Sequence, residues 1–181
     1  MGYGVAGLGF LDRWDSGVGA QILVIPDQLA TIKVLLSKLW RGFRVTTLDT
    51  KKISELVTYW VHSASEDLAT AEDIIAKTSR YVSGLFFLHL SLEKILKALY
   101  VKLHSTHAPF THNLLSLLEK NQIQPSESDL RIFSEINEFN LEARYPDEKF
   151  RLQQIATQQF TSRYLQETKR LSLWISEKLN S

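Results

Sequence analysis

A chain of 181 residues, with 44% hydrophobic, 23% charged and 10% aromatic residues, can bury one domain's core with an extra segment to spare and is too apolar to be disordered. Twenty-one basic residues against 20 acidic ones leave a net charge of +1, so no strongly basic surface argues for nucleic acid and only a local basic patch stays open. There is no cysteine, which excludes disulfides and thiolate metal sites and fits a cytoplasmic location.

In chain order, the first 25 residues hold six of the eight glycines, and glycine is costly to order, so residues 1–25 are expected to be irregular. The opening residues lack a basic stretch and carry Asp12, against a secretory signal, and Ala6 stands where a myristoylation pattern needs Ser or Thr. Residues 21–25, QILVI, are β-prone but have no partner strand. Residues 26–48 form a second unit, an extra amphipathic helix with its linker, in which Leu29, Ile32, Leu35, Leu36, Leu39, Trp40 and Phe43 recur at steps of three and four. That apolar face must cover either the main domain or a second subunit.

Residues 49–181 read as the main unit. Ile53, Leu56, Val57, Trp60, Val61, Ala64, Leu68, Ala71, Ile74 and Ile75 trace one stripe, with Glu66, Asp67, Glu72 and Asp73 mostly away from it. A second helix is expected from near Ser79 to about His104, with Gly84 inside it as a point of close helix approach. Pro109 then breaks the pattern, Thr111 reads as the N-cap of a short helix, and Asn121 as its stop. Ser126 and Asp129 mark another helix start. Pro146 makes the segment Asn140–Arg151 look irregular, and a last helix is expected from about Thr157 to Leu179. Short linkers favour antiparallel neighbours, so the expected fold is all-α: an up-and-down bundle of about five helices with the extra N-terminal helix. No apolar run approaches the ~18 residues of a membrane span.

Several polar groups interrupt this apolar pattern. His89 and Glu93 share a helix face, as do Glu93 and Lys97, while Lys94 and Lys97 are candidates for phosphate. A metal or proton-relay role and a plain structural role both fit the His89–Glu93 pair; no metal site and no cofactor is assigned. His112 and Asn113 fall in a first helical turn, where free amides attract anions. Arg144 has the planar donor fork suited to phosphate, and Tyr145 follows it. Nucleotide-binding glycine patterns and the serine-hydrolase elbow are missing, so no reaction centre is evident from motifs.

Trp60, Asp67-Leu68-Ala69, Tyr81, Phe86-Phe87-Leu88-His89, Glu93-Lys94-Ile95-Leu96-Lys97-Ala98, Thr111-His112-Asn113-Leu114 and Ala143-Arg144-Tyr145-Pro146-Asp147, in that order, carry the chain's resemblance to a known family. Over roughly residues 50–180 it resembles the HEPN (higher eukaryotes and prokaryotes nucleotide-binding) domain family. The resemblance implies a helical bundle that often forms a two-fold dimer, accompanied in many relatives by a minimal nucleotidyltransferase in toxin–antitoxin or defence systems. Other relatives are metal-independent ribonucleases with an Arg-x(4–6)-His motif. This chain departs from that motif: no arginine precedes a histidine at that spacing, and Arg144 has no histidine after it. It looks like the branch bearing the Arg-Tyr-Pro-Asp segment.

The expectation is therefore a non-catalytic, dimeric binding module that partners a nucleotidyltransferase and binds nucleotide or RNA phosphate. His89, Glu93, Lys94, Lys97, His112, Asn113, Arg144 and Tyr145 are its ligand-binding candidates. Lys97 and Arg144 would hold phosphate, Tyr145 would stack a base, and Glu93 would orient His89 or a lysine. One alternative is a divergent ribonuclease using His112 or His89 as base and Arg144 for charge stabilisation. The other is an assembly module without a ligand.

Overall fold

The structure, a computed structural model, describes residues 48–142 and 146–181; the expectations for residues 1–47 and for Arg144 and Tyr145 lie outside the described residues. Six helices follow one another there: α1 (Thr50–Lys77), α2 (Tyr81–His104), α3 (Leu114–Lys120), α4 (Glu127–Glu142), α5 (Pro146–Ile155) and α6 (Gln158–Asn180). Among the described residues there is no strand, and the fold is an all-α helical bundle.

Local chemistry sets most of the helix boundaries. Asp49 caps α1 by accepting from the backbone N–H of Lys52 at 2.7 Å. α2 ends at Ser105, which takes a left-handed conformation and donates its N–H to Val101. Ser126 accepts from the N–H of Asp129, and Thr157 from that of Phe160, so α4 and α6 start at the expected hydroxyls.

Two boundaries differ from the sequence reading. The short helix α3 is capped by Asn113, whose Oδ1 accepts from Ser116 N–H at 2.9 Å, while Thr111 sits two residues earlier and accepts from Asn113 N–H. Asparagine is as good a cap as threonine, and here it is the residue that reaches the third amide of the turn. Pro146 opens α5, where the sequence leads one to expect an irregular segment. Proline's missing N–H costs nothing in a first turn and its fixed φ suits a helix start, so it interrupts one helix and begins the next. This raises the helix count above five.

Packing centres on α2, which touches all five other described helices. Its connection to α1 is three residues long, forcing an antiparallel hairpin. Gly84 permits that hairpin to close, since a Cβ there would meet Ile75 Cγ1 at 2.7 Å. Leu85, Leu88, Leu92, Leu96 and Leu99 of α2 are fully buried against Leu114, Leu117, Phe133, Ile136, Leu152, Leu171 and Ile175. Surrounded this way, α2 has no solvated side in its middle, and polar residues there are carried inside with the leucines.

Candidate functional site

His89, Glu93 and Lys97 stand four residues apart on α2, so they form one ridge along its axis. In a peripheral helix such a ridge faces water; here His89 is 0%, Glu93 4% and Lys97 7% exposed. A buried charge is tolerated only when paired and hydrogen-bonded, and this ridge meets that condition. Lys97 Nζ donates to Glu93 Oε1 at 2.7 Å. His89 Nδ1 donates to the Ile136 carbonyl of α4 at 3.3 Å, and its Nε2 lies 3.3 Å from Glu93 Oε2. That second approach is outside aligned hydrogen-bonding geometry, and the aligned donors to the carboxylate come from elsewhere.

The remaining donor is His112. Its Nδ1 contacts both Glu93 oxygens, Oε2 at 3.0 Å and Oε1 at 3.2 Å. The loop before α3 carries this ring and is fixed on both sides of it: Thr111 N–H donates to the Pro109 carbonyl, and Leu114 N–H to Asn137 Oδ1 of α4 at 2.8 Å. Unlike the ridge, the His112 side chain is 56% exposed. Burial by itself pushes the Glu93 carboxyl up, but the contacts from His89, Lys97 and His112 outweigh it and hold the group at about 2, against an ordinary 4.5. Glu93 is thus an acceptor only at any physiological pH. Against an acceptor-only carboxylate His112 Nδ1 must donate, so in an uncharged ring the lone pair falls on Nε2.

Two residues that read as ordinary in the sequence complete the surroundings. Trp60, placed in the α1 core stripe, has its ring centroid 5.3 Å from Lys97 Nζ, a cation–π contact that shields the ammonium from the other side. Asp67, expected away from the stripe, is 8% exposed and pairs with Lys94. Its spacing held the signal: Asp67 follows Trp60 by seven residues and precedes Ala71 by four, both steps on one helical face.

The structure therefore brings His89, Glu93, Lys97 and His112 together around one carboxylate. Lys94 joins a separate pair with Asp67, and Asn113 spends its side-chain oxygen on capping α3. Arg144 and Tyr145 lie beyond the last described residue of α4, Glu142. Beside His112, Phe110 is completely exposed. Two hollows of about 330 Å³ and 580 Å³ lie elsewhere, one lined by residues 79–83 with Gln153 and Ala156, the other by Leu99, Leu103, His104 and Asn121 with the end of α6. Among the described residues no group of three or more His, Asp or Glu is arranged to hold a metal ion. No helix among them is long and apolar enough to cross a membrane.

Comparison with known proteins agrees with this architecture. The chain has the fold of the solved protein TT1696 from Thermus thermophilus, with a TM-score of 0.58 at 18% identity, over 67% of this chain and 97% of that one. No curated protein sequence matches it. The HEPN domain profile matches residues 57–179, which takes in Trp60, the whole Glu93 ridge and His112. A match over that share of the sequence, on a helical bundle of the expected kind, makes the chain a member of the HEPN domain family.

Proposed function

We propose that this HEPN domain is a non-catalytic binding module of the cytoplasm, the dimeric partner of a minimal nucleotidyltransferase of toxin–antitoxin or defence type, and that it binds nucleotide or RNA phosphate. The observation that carries the reading is the closed state of the Glu93 cluster. Both carboxylate oxygens are engaged, Lys97 is neutralised in place, and a carboxyl held at about 2 takes up no proton near neutrality. Such a knot holds a surface in shape; it does not cycle protons. What it holds toward solvent is His112 and Asn113, a polar rim of groups able to hydrogen-bond an anion. Arg144 and Tyr145 are proposed to complete it, with Phe110 a further face for a base to stack on. Exposed Tyr59 and Leu173 offer apolar area for a second subunit.

Isothermal titration with ATP and with a short single-stranded RNA tests the binding role. Heat that is lost in His112→Ala and Arg144→Ala is expected; no heat at millimolar ligand removes the nucleotide and RNA part of the reading.

One observation favours a second reading, a divergent ribonuclease. A surface imidazole oriented by a buried carboxylate is the geometry of a general base, and His112 has it at 3.0 Å. Incubation with tRNA decides between the two: identical intact bands for wild type and His112→Ala exclude cleavage.

A further inference from the structure

Each described histidine but one has an evident reason to be inert or ordinary. His89 is fully buried. His104 donates Nε2 to the Lys120 carbonyl at 2.9 Å and lies against Tyr100. His62 has its Nε2 3.6 Å from Glu66 on the open face of α1, and His107 is an exposed loop residue. His112 differs from all of them: its Nδ1 is anchored to a buried, ionised carboxylate, its ring is more than half exposed, and its backbone is pinned on both sides.

This arrangement fixes which nitrogen reacts. A carboxylate can only accept, so the ring proton is held on Nδ1 and the lone pair on Nε2, in a side chain that is 56% exposed. A free imidazole divides its population between two tautomers and all ring orientations; here one tautomer and one orientation are selected beforehand. As Nε2 forms a bond, positive charge develops on the ring, and the Glu93 carboxylate stands 3.0 Å from the Nδ1–H that shares that charge. An activated nucleophile oriented by a third group is the general signature of covalent group transfer.

We infer that His112 Nε2 is a phosphoryl-acceptor site, taking a phosphoryl group from a small activated phosphate of the phosphoramidate class. In the step, the Nε2 lone pair attacks phosphorus and a P–N bond forms. The donor's own P–N bond breaks, and its electron pair leaves on nitrogen as ammonia from the zwitterionic donor. The phosphoryl group stays on Nε2 while the Nδ1 proton remains on the ring against Glu93. Nothing is oxidised or reduced, and no further reactant is needed. The site does not depend on nucleotide or RNA binding, so it stands or falls separately from the proposed function.

The test treats the full chain with potassium phosphoramidate under native conditions, follows the gain of one acid-labile phosphoryl group by intact mass, and maps it by peptide sequencing. The expected result is labelling at His112 roughly tenfold faster than at exposed His62 or His107, with the preference abolished when the same reaction is run in urea. Label spread evenly over His62, His107 and His112, or an undiminished gain in His112→Gln, overturns the inference. Glu93→Gln, where it folds, is expected to bring His112 down to the rate of His107; an unchanged rate also overturns it. The wild-type map reads the same question without any variant.

Discussion

Glu93 and Asp129 are two carboxylates in the same domain, each paired with a cation, and each held below its usual range. Asp129 is lowered first by the Arg170 guanidinium, in a pair whose arginine is 51% exposed and which also includes Glu167. Glu93 is lowered against its own burial, by three partners inside the bundle. The two look alike as ion pairs and differ in what their removal leaves behind. At Asp129, water takes the place of the lost partner, and the side chains were already competing with it. At Glu93, water has no access, so a lost partner strands a charge in the core.

The sharpest way to break this comparison is Glu93→Gln. It leaves the Lys97 ammonium buried over Trp60 without a counter-charge, and a loss of about 3–5 kcal/mol in unfolding free energy is expected from chemical denaturation. A loss below about 1 kcal/mol would mean that the ridge is hydrated in solution.

Acid titration probes the same contrast without a mutation. A group whose pKa is depressed in the fold contributes stability that is complete above its unfolded value and disappears as pH falls through its folded value. For Glu93 that window runs from about 4.5 down to about 2, and the contribution at neutral pH is on the order of 3 kcal/mol. Denaturation midpoints measured from pH 6 to pH 2 should therefore fall most steeply below pH 4.5 in the wild type. In Glu93→Gln the slope in that interval should be visibly flatter; equal slopes would refute the assignment.

Arg170→Ala marks the small end. The guanidinium is half-exposed, so about 0–1 kcal/mol is expected, shrinking further at 1 M salt. A large, salt-independent loss would show that exposure is a poor guide to the worth of these pairs.

Much of the architecture is legible in the residues. The stripes of α1, α2 and α6, the hydroxyl starts at Ser126 and Thr157 and the close approach at Gly84 follow from periodicity and capping, which depend on neighbours within one or two turns. Where sequence and structure part over a boundary, the choice is between two competent local solutions. Thr111 and Asn113 are both fit to cap, and Pro146 is fit both to stop a helix and to start one.

The site is legible in its membership and not in its state. His89, Glu93, Lys97 and His112 can be named because they interrupt apolar periodicity. Lys97 reads in sequence as a cation available to phosphate, whereas its charge is spent on Glu93 and covered by Trp60. Asp67 reads as solvated and is buried against Lys94. Spacing puts Asp67 on the face shared by Trp60 and Ala71, but it says only which residues share a face and nothing of which partners that face meets.

What the amino-acid order determined alone is the set of helices, their apolar sides and the i, i+4 ridge of polar groups, since these are properties of a single helix and its ends. Only the tertiary structure decided that α2 is enclosed on all sides. That enclosure turns a common surface pattern into a dehydrated cluster, brings His112 to it from nineteen residues away, and leaves the His112 ring more than half exposed beside it. The physical reason is that the energy of a charge depends on the medium around it, and the medium is made by the other helices.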